Sequence, residues 1–323
     1  MPDSSTLAIL TKSGRDNLKQ KRSVLTFHVA TARQEVIRQT DAVLIGLACA
    51  PDGSNIASAS WRTGPAGECE ILLWNPVNRQ SSGSLIGAPL AGLGVPITSD
   101  PLSIAISPDS RWLAAGTKVV DADGLIGAHI GGEVCVWELA TKTLKWSDRT
   151  THTDTVQSVF FSSDGKRLAS AGIDKLIRIW DVETGRLQAT LVGAAWHGIT
   201  SVAFSPDESL LASGGEGEED GGCVRLWDIE SGQMKHRFAA FRPRSNVRVA
   251  FAPDGQSLIA VGLKRESQGA EFRVHRWEAK TGKYLGILTE QAGSPRTMSI
   301  SRDSKQLAVG TFEGQIHVVA LPD

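Results

Sequence analysis

One unit recurs along this chain, and a recurring unit of strands limits the possible fold more than any other feature of a sequence. Its clearest copy, TVQSVFFSSDGKRLASAGIDKLIRIWDVETGRLQATL, begins at Thr155. The next opens as ITSVAFSPDESLLASGG at Ile199 and resumes as CVRLWDIESGQMKHRF at Cys223. Related segments start at Leu44 (LIGLACAPDGSNIASAS), Leu102 (LSIAISPDSRWLAAGT), Val247 (VRVAFAPDGQSLIAVG) and Arg296 (RTMSISRDSKQLAVGTFEGQIHVVAL). Each copy alternates apolar and polar residues over short runs broken by Pro-Asp-Gly-like turns, the pattern of brief antiparallel strands. Asp52, Asp109, Asp164, Asp207, Asp254 and Asp303 mark the same turn, between first and second strands, spaced 43 residues apart at the tightest (164 to 207) and 57 at the widest (52 to 109).

Four short strands fit such a repeat, but one small sheet cannot bury both its faces. Stacking the sheets radially into a propeller solves that problem. An aromatic slot in the third strand supports the count: Trp74, Trp137, Trp180, Trp227 and Trp277 fill it, with Phe27 and Val319 in weaker first and last copies. Seven slots predict seven blades in one domain spanning 1–323, with repeats at about 1–43, 44–100, 101–154, 155–198, 199–245, 246–293 and 294–323. Small residues at Ala48, Ala105, Ala203, Ala250 and Ser299, midway along each first strand, fit crowding near a propeller axis. Phe160 breaks that pattern.

These residues resemble the WD40 family along nearly the whole chain. The Trp-Asp pair itself survives at Trp180-Asp181 and Trp227-Asp228, while Asn75, Glu138 and Glu278 stand in for Asp elsewhere. The resemblance implies an all-β propeller and a buried chain in the copy from Thr155: Trp180 donates to Ser170, Ser170 to His152 and His152 to Asp174. Each polar group in such a chain has a partner, so its burial is tolerable. His, Ser and Asp together would otherwise hint at a hydrolase, but the tryptophan and the turn spacing account for all three structurally.

Ring closure is open at this level. The first copy holds 7–11, 24–30 and 35–40 with no first strand before them, and the last stops after its third strand. The 7–11 segment could complete the final blade, two three-stranded blades could meet, or the chain could be one piece of a longer protein.

The extra residues are not scattered. Second-to-third turns are long at 61–70, 118–132, 216–222 and 264–271, and the connection between repeats is stretched at 87–101. In an up-and-down blade these emerge on one side, whereas the Pro-Asp-Gly and Glu-Thr-Gly turns on the other stay tight. One-sided insertions commonly mark a binding surface. The residues expected to contact a partner there are Trp61, Arg62, Asp121, Asp123, His129 and Trp196, an acidic tip of Glu216, Glu218, Glu219 and Asp220, and the basic Arg242, Arg244, Lys264 and Arg265. Arg248 lies close to the same connection. The tryptophans either act as hot spots or fold onto their own loops, and the opposed charges either pair with each other or steer a partner.

Other chemistry is unsupported. There is no GxSxG, HExxH, Walker-type or GxGxxG motif, and the histidines show no metal-ligand spacing, so no catalytic residue, cofactor or metal is assigned. His129 and His197 would be the least implausible catalytic groups of an enzyme built on this scaffold. Nucleic-acid binding could use Lys12, Arg15, Lys19, Lys21 and Arg22, but a net charge of −1 provides no general attraction to phosphate. The four cysteines form no CxxC, which points to a reducing compartment, and no apolar run approaches a membrane span or a secretory signal. The expectation is a cytoplasmic, non-enzymatic scaffold for one or more proteins or peptides. The alternative is a module of a larger, possibly catalytic, assembly.

Overall fold

A computed structural model describes residues 6–13, 21–28, 33–40, 43–61, 69–76, 78, 80–85, 97–121, 129–192, 198–215, 222–243, 245–264 and 269–322. Its strands form seven antiparallel sheets in chain order. The first holds Thr6–Ser13, Lys21–His28 and Arg33–Thr40. The second holds Val43–Cys49, Ile56–Trp61, Cys69–Trp74 and Ser81–Leu85. The third holds Ile97–Ile106, Trp112–Asp121, Val134–Glu138 and Thr143–Asp148, with a short fifth strand, His129–Gly131, added on Trp112–Asp121.

The fourth sheet is Val156–Phe161, Arg167–Gly172, Leu176–Asp181 and Leu187–Val192. The fifth is Ile199–Phe204, Leu210–Gly215, Gly222–Asp228 and Met234–Phe241. The sixth is Arg248–Phe251, Ser257–Leu263, Glu271–Glu278 and Tyr284–Ala292, and the seventh Pro295–Ile300, Gln306–Thr311 and Ile316–Ala320. As the incomplete first and last copies implied, five of the described sheets reach four strands and the first and last have three. Thr6–Ser13 pairs with Lys21–His28 inside the first sheet. No described helix is long and apolar enough to cross a membrane.

By contact the chain divides into two compact units, Met1–Val159 with Val182–Gly185, and Phe160–Asp181 with Arg186–Asp323. Within each, the core lies between successive sheets. In the first unit Ala57, Ile71 and Leu73 of the second sheet meet Ile104, Leu113, Cys135 and Trp137 of the third. In the second unit Val224 and Leu226 meet Val249, Leu258 and Trp277, while Val261, Phe272 and Val274 meet Leu307 and Val309. Third strands are apolar on both faces because both are covered, as the VCVWE burial of the third sheet shows. Outer strands alternate, exposed and half-buried, as in TLKWSD at Thr143–Asp148. Phe160 is 41% exposed among otherwise small midpoint residues, and nothing in the structure explains it.

The six aspartates do mark one turn. In it the Asp carboxylate accepts the amide two residues on, as from Lys166 to Asp164 (2.9 Å) and from Gln256 to Asp254 (2.8 Å). A preceding serine hydroxyl donates to the same oxygen from Ser107, Ser162, Ser205 and Ser301, at 2.5, 2.7, 2.6 and 2.6 Å. The residue after the Asp has positive φ, which suits Gly53, Gly165 and Gly255, yet Ser110, Glu208 and Ser304 adopt it too, near 60°. Those three alternate with the glycines along the chain, and each reaches back to the turn of the preceding sheet. Ser110 Oγ accepts the Asp52 amide (3.3 Å), Glu208 Oε1 the Asp164 amide (2.7 Å) and Ser304 Oγ the Asp254 amide (3.1 Å).

Glu208 makes the strongest of these latches, since Oε1 also accepts from Ser163 Oγ (2.8 Å) and Oε2 from Arg167 Nη2 (2.7 Å). Glu208→Gly would relieve about 1 kcal/mol of backbone strain but remove charge-assisted bonds worth about 1.5–3 kcal/mol. We expect a net loss of about 1–2 kcal/mol in urea unfolding; a gain in stability would show that the latch contributes nothing.

Hydrogen bonds from Ser54, Ser205 and Ser301, respectively, are the main reason that the Asp52, Asp207 and Asp303 carboxyls ionise below their ordinary value of 3.8. Depressed folded values contribute stability that is complete above the unfolded pKa and is lost as pH falls through the folded ones. The urea midpoint should therefore drop between pH 5 and pH 2, and drop less in Asp207→Asn. An equal decline in that variant would clear this turn of any part in the acid response.

Candidate docking face

The Asp-marked tight turns lie between first and second strands, so the second-to-third connections lie at the other ends of the strands, short at 173–175 and 312–315 and longer elsewhere. Strand ends define their limits: 62–68 between Trp61 and Cys69, 122–128 between Asp121 and His129, and 216–221 between Gly215 and Gly222. Two expectations change here. Asp121 and His129 are strand residues rather than loop residues, because β-branched Val119 and Val120 favour an extended strand that pairs on both sides. Val120 pairs with His129 on one side and Thr98 on the other, so the expected loop at 118–132 contracts to 122–128. Trp61 likewise closes Ile56–Trp61, opposite Cys69. The side chains of Trp61, Asp121 and His129 lie outside the description, as do Arg62, Asp123, Trp196, Glu216, Glu218, Glu219, Asp220, Arg244 and Arg265 entirely.

Of the expected contacts whose side chains are described, Lys264 is engaged within its own sheet. Its Nζ lies 2.9 Å from Glu290 and 3.7 Å from Glu271, and Arg273 Nε lies 2.6 Å from Glu290. Hydrogen bonding to Glu290 raises the Lys264 pKa, and the same bond, followed by that from Arg273, lowers that of Glu290. Arg242 Nη1 makes a long contact, 3.5 Å, with the Gly269 carbonyl.

The sheets also hold buried polar groups. Trp180 Nε1 donates to Ser170 Oγ at 2.8 Å, as the repeat implied. The same bond recurs from Trp74 to Ser58 (3.0 Å) and from Trp227 to Ser213 (2.9 Å), two copies where sequence reading had not sought it. His152 is buried, and Asp174 accepts from Arg178 Nη1 at 2.7 Å, a partner outside the expected chain. The third sheet has an ionic pair of its own: Glu133, wholly buried, lies 2.7 Å from Arg149 Nε. Trp146, off the tryptophan slot, donates to the Val182 carbonyl (2.8 Å) and covers Gly185, which explains it as packing. No group of three described His, Cys, Asp or Glu side chains is placed to hold a metal ion.

Fold and face together define an all-β repeat protein of propeller type whose variable chemistry lies on connections between strands. A family model described as "WD domain, G-beta repeat" matches residues 143–181 and 185–228. Those two segments are WD40 repeats, and the sheets around them are those of a WD40-type β-propeller. It is 30% identical over 150 residues to the WD repeat-containing protein SL1-17 of Schistosoma mansoni, covering 37% of this chain and 46% of that one. The chain spans less than half the length of the curated relatives it matches. Among solved structures, a chain of a mitotic checkpoint complex superposes with a TM-score of 0.72 at 14% identity, covering 100% of this chain and 89% of that one. A chain of the Kuenenia stuttgartiensis hydrazine synthase gives 0.65 at 18% identity, covering 87% and 78%. Likeness at these identities is likeness of fold.

Proposed function

We propose that this chain is a non-enzymatic scaffold that docks a protein or peptide partner on the face carrying the second-to-third-strand connections. The observation that carries this reading is the contrast between the two ends of the strands. At one end the first-to-second-strand turns close through the same tight backbone pattern. At the other, connections of different length and charge intervene at 62–68, 122–128 and 216–221. A rigid frame with variable loops on one side is how recognition surfaces are commonly built. WD40 propellers serve in general as protein-interaction scaffolds, and one chain of similar fold belongs to a mitotic checkpoint complex. Among the described residues Cys49, Cys135 and Cys223 are not in disulfides, which fits a cytoplasmic setting.

The test is affinity capture from source-cell lysate with the wild type and with a variant whose connections at 62–68, 122–128 and 216–221 are cut to short turns. A partner held by the wild type alone, and weakened by Trp61→Ala with Trp196→Ala at unchanged thermal stability, is the expected result. Equal capture by the trimmed variant would sink the assignment to this face. A second reading, a module within a larger assembly, is favoured by the seventh sheet, where Ile316–Ala320 pairs only with Gln306–Thr311 among the described strands. A stable monodisperse monomer in light scattering would count against it.

A further inference from the structure

In the third and fifth sheets the residue two before the small midpoint of the first strand is a serine that ties neighbouring sheets together. Ser103 Oγ accepts the Val159 amide (3.1 Å) and Ser201 Oγ the Val249 amide (3.2 Å). In the sixth sheet this position is Arg248. Its guanidinium spans both neighbours, Nε donating to the Arg296 carbonyl at 2.9 Å and Nη1 to the Thr200 carbonyl. Both carbonyls belong to the starts of first strands, so the guanidinium is held at the end where the long connections emerge.

Arg296 is the adjoining cation. Its guanidinium carbon stands 5.0 Å above the ring of Phe312, which is 66% exposed in the turn between Gln306–Thr311 and Ile316–Ala320. Burial, then the proximity of Arg296, lowers the pKa of Arg248. Lys264 and Arg273 on the same side are neutralised by Glu290. Arg248 and Arg296 instead rest on carbonyls and an aromatic ring, with no described carboxylate within ion-pair distance. Glu313, next to Phe312, is turned onto the Ser294 amide (2.9 Å). Two neighbouring guanidiniums without a counter-ion repel, and a ring of that exposure leaves apolar surface in water. A bound carboxylate beside an apolar side chain would relieve both conditions.

We propose that Arg248, Arg296 and Phe312 form the subsite that receives an acidic peptide segment of the partner, its carboxylate on the guanidiniums and an adjacent apolar side chain on the Phe312 ring. This rests on the docking-face reading and gives the partner its chemistry.

The test is selection of a phage-displayed random peptide library on the intact protein, in wild-type form and as Arg296→Glu and Phe312→Ala. Both side chains are exposed, so circular dichroism should show both variants folded. The wild type should enrich sequences with Asp or Glu next to Leu or Phe. A synthetic peptide of that sequence should bind both variants at least about tenfold more weakly, with affinity falling as salt rises. Arg296→Glu should itself select Lys and Arg. No acidic enrichment on the wild type, or equal binding of the enriched peptide by all three proteins, overturns the proposal. So does binding of a single-stranded DNA of about ten nucleotides, lost in Arg296→Glu, without any acidic peptide selected. If a captured partner is retained by both point variants but lost when the loops are trimmed, the subsite is wrong and the docking face stands. If peptide selection succeeds while loop trimming leaves capture intact, the reverse holds.

Discussion

Replacing Glu133 with Ala should lower stability by about 3 kcal/mol, although the substitution lies far from any tight turn. Glu133 is completely buried and its carboxylate sits 2.7 Å from Arg149 Nε, whose side chain is 24% exposed. Removing one member of a buried pair leaves the other charge in a medium that solvates it poorly, and that residual charge dominates the loss. Partial exposure of Arg149 lets water recover some of it, which is why the lower end of the usual range applies. The Glu133 carboxylate also stands near Cys135. Burial chiefly, and then Glu133, keeps that thiol well above its ordinary pKa. Urea unfolding of Glu133→Ala, Arg149→Met and the combined Glu133→Leu/Arg149→Met variant separates the effects. The double variant should recover most of the loss, because nothing charged is left behind. A cost below about 1 kcal/mol for Glu133→Ala would mean the pair is solvated after all.

The second large effect concerns Trp180. It is 1% exposed, and its indole N–H is satisfied by Ser170. Trp180→Ala should cost about 3–5 kcal/mol through the cavity it leaves. Ser170→Ala should cost about 1–3 kcal/mol, because the indole donor then stays buried without its partner. Trp180→Phe should fall between, keeping most of the packing but orphaning the serine hydroxyl. If Ser170→Ala proves neutral, the bond contributes no net stability and the tryptophan acts by volume alone. All three variants can be followed by denaturant unfolding with near-ultraviolet circular dichroism as the readout.

Neither experiment touches the docking face, and that separation matters for function. The tryptophan slots and turn latches lie on regular strands and tight turns, and the buried Glu133–Arg149 pair flanks strand ends of the third sheet. Recognition is assigned to connections that carry little of the fold's stability. A loop-trimmed variant should therefore unfold near the wild type while losing its partner, whereas Trp180→Ala should lose both.

The repeat, the strands and the turns were legible in the chain because each depends on neighbours close in sequence. Period-two alternation, an aspartate that bonds two residues on, and a glycine needing positive φ are local effects. So the six turns stand where the repeat placed them, and the Trp180–Ser170 bond stands where the WD40 resemblance implied it. The docking face was visible only as unequal loop lengths. Its side chemistry was harder to see. Lys264 looked like a partner for the acidic tip until its strand neighbour Glu290 claimed it. Asp121 and His129 looked like loop residues until cross-strand pairing extended the sheet over them.

What only tertiary structure decided is which distant groups meet between sheets. Ser110, Glu208 and Ser304 stand where glycine suits the backbone, and only packing shows that each bonds to the turn of the sheet before it. Arg248 read as one more surface charge, and Arg296 and Phe312 drew no notice. Packing of the first strands brought Arg248 against the carbonyls of Thr200 and Arg296, residues 48 positions away on either side. Local preference along a chain sets strand and turn, since those energies act within a few residues. Contacts between repeats depend on how sheets stack, and the pattern of one repeat carries no information about which side chain of the next will face it.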